Sequence, residues 1–98
     1  MDVRAAAQTA KAYIAEVFAD EDIDEVGLEE VDFDDRSNLW KITISFLRPR
    51  GRMNKFQAAA SGYPAGTPTM RRSFKIVNID DGSGSVVSVK HRVVEGVD

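Results

Sequence analysis

The chain contains no cysteine, which excludes disulfides, thiolate nucleophiles and every cysteine-based zinc centre. Histidine occurs once, as His91, and a multi-histidine metal site is excluded with it. Proline is scarce and confined: Pro49, Pro64 and Pro68 all fall within residues 48–72, together with Gly51, Gly62 and Gly66. No stretch approaches the roughly 20 apolar residues needed to span a bilayer. The opening MDVRAAAQTAKAY lacks the apolar run of a secretory signal. A cytoplasmic protein with no membrane partner is therefore expected. Between Arg48 and Lys75 there is no acidic residue at all.

What is present fits one small globular domain. Ninety-eight residues, 43% hydrophobic and 30% charged, are ordinary proportions for a folded chain and too apolar for a disordered one. Net charge is only −3, but it is unevenly spread. Residues 1–40 carry 12 acids against 3 bases, whereas residues 48–75 carry 7 bases and no acid. Such separation creates local fields that the net charge conceals.

Residues 3–19 read as one amphipathic helix. Val3, Ala6, Ala7, Ala10, Ile14, Val17 and Phe18 recur at steps of three and four, the period of a buried helical stripe. Six alanines between Ala5 and Ala15 favour the helix, and Asp2 is placed to cap it. The acids that follow, from Asp20 to Glu25, oppose the helix dipole, so something else must favour them there.

Four strand-like runs complete the pattern. Residues 28–47 form a first hairpin about Asp35-Arg36-Ser37-Asn38, and residues 73–94 a second about Asp81-Gly82-Ser83-Gly84. Trp40, Ile42, Ile44 and Phe46 alternate with Lys41, Thr43 and Ser45, as in a sheet covered on one face. Val89 and His91 share the inward parity of the last strand with Val87 and Val93, while Ser88, Lys90 and Arg92 point outward with Lys41, Thr43 and Ser45. Val26 and Leu28 are out of phase with Val31 and Phe33, as Phe74 and Ile76 are with Val77 and Ile79; each shift predicts a bulge or bend. The fold class expected is α+β, one N-terminal helix packed on a curved four-stranded antiparallel sheet in the order α-β-β-β-β. Residues 48–72 between the hairpins predict a long, basic, mobile loop, with a helical turn between Met53 and Ala60 at most.

A helix followed by an antiparallel meander resembles the cystatin-like class. The segment from Phe74 to Val89, an aromatic-led strand, an Asp80-initiated turn with Gly82 and a valine-rich return, resembles the closing hairpin of PepSY-like domains. Gas-vesicle accessory proteins of similar length share the arrangement. The resemblance implies the fold; no site residue is carried over, since the inhibitory loop motif of cystatins has no counterpart here.

Catalytic and metal chemistries find no support. The acidic run fails as an EF-hand loop in both registers: from Asp20 the twelfth position is Val31, and from Asp22 it is Phe33, where a glutamate is required. Ser83 and Ser85 lie in no nucleophile-elbow motif, and Gly82-Ser83-Gly84 precedes a strand rather than a helix, so it is no phosphate loop. His91 reads as a structural residue of the last strand. No enzyme, catalytic residue, metal or cofactor is expected. The basic segment carries the functional expectation: Arg48, Arg50, Arg52, Lys55, Arg71 and Arg72, with Phe56 and Tyr63 between them. This composition suits a non-catalytic module that contacts an acidic protein partner, or a second copy of itself in a homodimer. Single-stranded nucleic acid, held by phosphate pairing and base stacking, is the alternative; the acidic overall charge makes it the less favoured one. A small-ligand pocket between helix and sheet is a further alternative, and the polar outward face of the sheet a second candidate surface.

Overall fold

Asp2 begins the first element. In the computed structural model, which describes residues 1–93, its carboxylate accepts a hydrogen bond from the Ala5 amide at 2.8 Å and caps helix α1, Val3–Val17. Ala6, Ala10 and Ile14 are completely buried, and the two small side chains let the helix axis approach the sheet closely. Val3 and Val17, at the margins of the stripe, are exposed. The helix ends at Phe18, and a single 3-10 turn, Ala19–Glu21, leads to Asp22 in the left-handed region.

Four strands follow: β1 Asp24–Asp34, β2 Leu39–Arg52, β3 Pro68–Asp80 and β4 Val86–His91. They form one antiparallel sheet in the order β1-β2-β3-β4, so the α-β-β-β-β arrangement is that of an α+β domain. The expected end of the last strand at position 94 lies outside the described residues. Ile42, Ile44, Phe46, Val77 and Ile79 face α1 and are fully buried. Phe18 closes the end of this core, its ring centroid 5.1 Å from that of Phe46. Trp40 packs at the other end against Phe33, 4.8 Å between centroids, and donates its indole N–H to Asp81 Oδ1 at 2.8 Å.

The predicted phase shifts have different outcomes in the two strands. Register changes between Asp24 and Gly27 and between Leu28 and Glu30 place bulges in β1. The second lets the consecutive residues Glu29 and Glu30 reach the same outer face, where they bond Ser45 and Arg92. Against β2, by contrast, β3 runs without interruption from the Leu39–Asp80 pair to the Pro49–Met70 pair. Phe74 and Ile76 therefore stay on the outer face, half-buried. The irregularity falls on the β4 side, between Asn78 and Ile79; it turns Val86 onto the core and leaves Val87 61% exposed. From Leu39 to Pro49 the central β2–β3 pairing has no bulge to bend it, and the sheet is open and uncurled.

The segment 48–72 is corrected most. Its two ends are strand: Arg48 pairs with Arg71, Pro49 with Met70 and Arg52 with Pro68. The prolines do not prevent this, because Pro68 opens its strand and Pro49 adjoins the Pro49/Gly51 irregularity, both places where a missing N–H is tolerated. Between the strands, helix α2, Lys55–Ser61, extends the expected helical turn. A 14-residue strand reaches about 46 Å and a 15-residue helix about 22 Å, so α1 covers only half of β2. The other half projects as a two-stranded arm. The radius of gyration is accordingly 16.5 Å, against about 13 Å for a compact chain of this length.

Candidate docking surface

The arm keeps its shape through local bonds. Asn54 and Gln57 form a reciprocal capping box at the start of α2: the Asn54 side chain accepts from the Gln57 amide at 2.8 Å, and the Gln57 side chain accepts from the Asn54 amide at 3.0 Å. Gly62, at φ 76°, ends the helix in the left-handed conformation that glycine adopts without strain. The return chain is tied by Met53 N–H to Thr67 O at 2.8 Å and by Arg52 Nη1 to Gly66 O at 2.9 Å. Ala58 is the buried residue of α2, while Phe56 is 86% and Tyr63 57% exposed.

The eight residues singled out from the sequence thus divide three ways. Lys55, Phe56 and Tyr63 stand at the tip, with Arg52 closing it. Arg72 belongs to the outer face of the sheet, donating to Ser45 Oγ at 3.1 Å and lying 3.7 Å from Glu25. Arg48, Arg50 and Arg71 line a cleft on the helix side of the sheet, just beyond the end of α1. Glu21 pairs with Arg48 there, which supplies the stabilisation that the acidic residues after α1 require.

The cleft, of about 290 Å³, is lined by Arg48, Pro49, Arg50, Arg71, Ser73, Lys75 and His91. No carboxylate lines it among the described residues. Strand pairing explains the convergence. Arg48 stands directly opposite Arg71, and Lys75 directly opposite His91, while Arg71, Ser73 and Lys75 follow one another along one face of β3. The Arg48 guanidinium and the Lys75 ammonium each lie 5.8 Å from the Phe18 ring centroid, so one ring meets two cations. Burial, followed by the Arg48 charge, holds the Lys75 ammonium below its ordinary pKa; Glu21 opposes that shift and Arg71 adds to it. Lys75 and His91 were not among the residues expected here. Lys75 shares the inward parity of Arg71, Val77 and Ile79, which marks its face; its meeting with His91 depends on the pairing.

The outward face is not an open polar surface. Ser45 is fully buried and Thr43 nearly so, beneath long charged side chains. Ser45 donates to Glu29 Oε1 at 2.7 Å, and Arg92 Nη1 donates to both Thr43 Oγ1 and Glu30 Oε1 at 3.1 Å. Asn78, also buried, donates to Ser88 Oγ at 2.9 Å. Among the described residues no group of histidines and carboxylates is placed to hold a metal ion, and no helix is long and apolar enough to cross a membrane. Comparison of the chain with protein-family models, with curated protein sequences and with solved structures finds no match in any of the three.

Proposed function

We propose that this chain is a non-catalytic interaction module that docks an acidic protein partner through the β2–α2–β3 arm. The observation that carries the reading is Phe56: a capped helix that buries one alanine holds a phenylalanine 86% exposed to solvent. Ordering a segment costs conformational entropy, and α2 recovers little of it by burial within the chain. Aromatic anchors ringed by arginine are the usual composition of a binding hot spot. In the sequence from Arg48 to Lys75, on either side of Phe56 and Tyr63, every acidic or basic residue is a cation, and a cationic rim selects an acidic surface and speeds encounter with it. The likeness of the closing hairpin to PepSY-like and cystatin-like domains belongs to the same proposal; it is supported by the α+β element order and by the turn built on Asp80, whose carboxylate accepts from the Ser83 amide at 2.8 Å. A cytoplasmic setting is proposed with it.

The test is capture of partners by immobilised full-length chain, compared with Phe56→Ala, Tyr63→Ala and, as a distant control, Val87→Ser. Removing Phe56 is expected to weaken retention of an acidic partner about thirty-fold, the loss of one hot-spot residue, with Val87→Ser unchanged. Retention indifferent to Phe56 overturns the reading. Tight, salt-sensitive binding of oligothymidylate dependent on Phe56 and Tyr63 would replace it with the nucleic-acid alternative. Self-association lost in Phe56→Ala would identify the acidic partner as a second copy.

A further inference from the structure

We propose that the cleft formed by Arg48, Arg71, Ser73, Lys75 and His91 is a seat for a phosphate monoester group. The inference rests on the reading of the arm as a docking surface for acidic partners, and names the group that surface recognises.

The argument begins with a conflict within the sheet. Arg48 and Arg71 are direct cross-strand partners on one face, a placement that destabilises a sheet when the charges are alike. Lys75 follows on that face, two residues past Ser73 and opposite His91. Among the described residues, the carboxylate paired with a member of this group is Glu21, on Arg48. The Phe18 ring, 5.8 Å from both Arg48 and Lys75, offsets the rest only in part. Cationic groups held together against their own repulsion are stored for an anion that comes from outside.

The donor set distinguishes among anions. Arg71 offers a planar fork, Lys75 a point charge and Ser73 a hydroxyl, and all three line the same cleft. A phosphate monoester carries about −1.5 to −2 charge and three acceptor oxygens, enough to engage all three donors. A carboxylate brings one charge and two oxygens and leaves a cation unanswered. The cleft volume of about 290 Å³ admits the group. A bound phosphate would also raise the Lys75 pKa, offsetting the lowering set by burial and by Arg48.

The experiment is an NMR titration of the full chain with inorganic phosphate at constant ionic strength, then with a phosphoserine peptide and its glutamate counterpart. Saturable shifts confined to Arg48, Arg71, Ser73, Lys75 and His91 are expected. Arg71→Gln or Lys75→Gln should weaken binding about ten-fold, as for loss of one charge-assisted contact, and Lys90→Gln, on the opposite face, should leave it unchanged. Peptide binding tighter than that of inorganic phosphate and sensitive to Phe56→Ala identifies a phosphorylated partner. Equal affinity identifies a free phosphate compound. Both support the seat. Non-saturating shifts spread over Lys90 and Arg36 overturn it. Glutamate peptide binding as well as phosphoserine peptide also overturns it, while leaving the acidic-partner reading intact. Partner capture that ignores Phe56, with phosphate still saturating the cleft, overturns the docking reading and leaves the seat standing.

Discussion

Lys75 shows how one side chain records a conflict between stability and use. Its ammonium is disfavoured in the fold by burial and by Arg48, so its folded pKa lies below the unfolded value of 10.5. As pH rises through the folded pKa, the native chain loses this proton before the unfolded chain does. Stability therefore increases between the folded pKa and 10.5, and the full penalty is present at neutral pH, where both states are charged. Lys75→Met is expected to raise stability at pH 7 by no more than about 0.5 kcal/mol, because solvent screens most of the repulsion on a largely exposed ammonium. The difference from wild type should narrow as pH approaches 10.5. Denaturant midpoints of the two proteins across this range check it; a variant less stable at pH 7 would show that the ammonium is well satisfied. Asp80 also has a lowered pKa, so stability again rises with pH, but here the fold favours the charged form. The Ser83 amide and hydroxyl lower its pKa below 3.8, and its contribution to the β3–β4 turn is lost as pH falls from 3.8 through that lowered value.

At the scale of elements, α2 and α1 draw their stability from different sources. α1 is held by Ala6, Ala10 and Ile14 in the core; α2 is held by its ends. Asn54→Ala removes the capping box, which costs about 1 kcal/mol of local stability. Since α2 lies outside the core, that loss should appear as roughly five-fold faster amide exchange in Lys55–Ser61, with the global unfolding midpoint almost unchanged. A large fall in the midpoint would mean that the arm and the core unfold as one unit. The acidic residues that follow α1 also make sense only between elements: Glu21 meets Arg48 and Glu25 approaches Arg72, on opposite faces at the base of the arm. Part of the charge asymmetry between the two halves of the chain is thereby neutralised internally, and what the arm presents outward is concentrated at its tip and in the cleft.

For the whole molecule, Phe46 is the junction. It is fully buried, touches the Phe18 ring and lies at the last pair before the arm leaves the cover of α1. Phe46→Ala is expected to cost about 3–5 kcal/mol, a large share of the roughly 5–15 kcal/mol available to a domain of this kind. Thermal or denaturant unfolding reads this directly. Val87→Ser, at an exposed site, should stay within about 0.5 kcal/mol of wild type, and a comparable loss there would show that the β4 edge is buried in an assembly. Residue order alone determined α1 and its Asp2 cap, the alternating core strand from Trp40 to Phe46, both hairpin turns and the cationic segment, because each is a local matter of period, propensity or side-chain chemistry. Only the tertiary structure decided that residues 48–52 and 68–72 are strand, since a ladder between residues some 20 apart is fixed by pairing and not by local preference. It likewise decided that Arg48 and His91 join Arg71 and Lys75 in one cleft while Arg72 lies on the other face, because cross-strand register sets Arg48 opposite Arg71 and His91 opposite Lys75, and a one-residue step along a strand reverses the face.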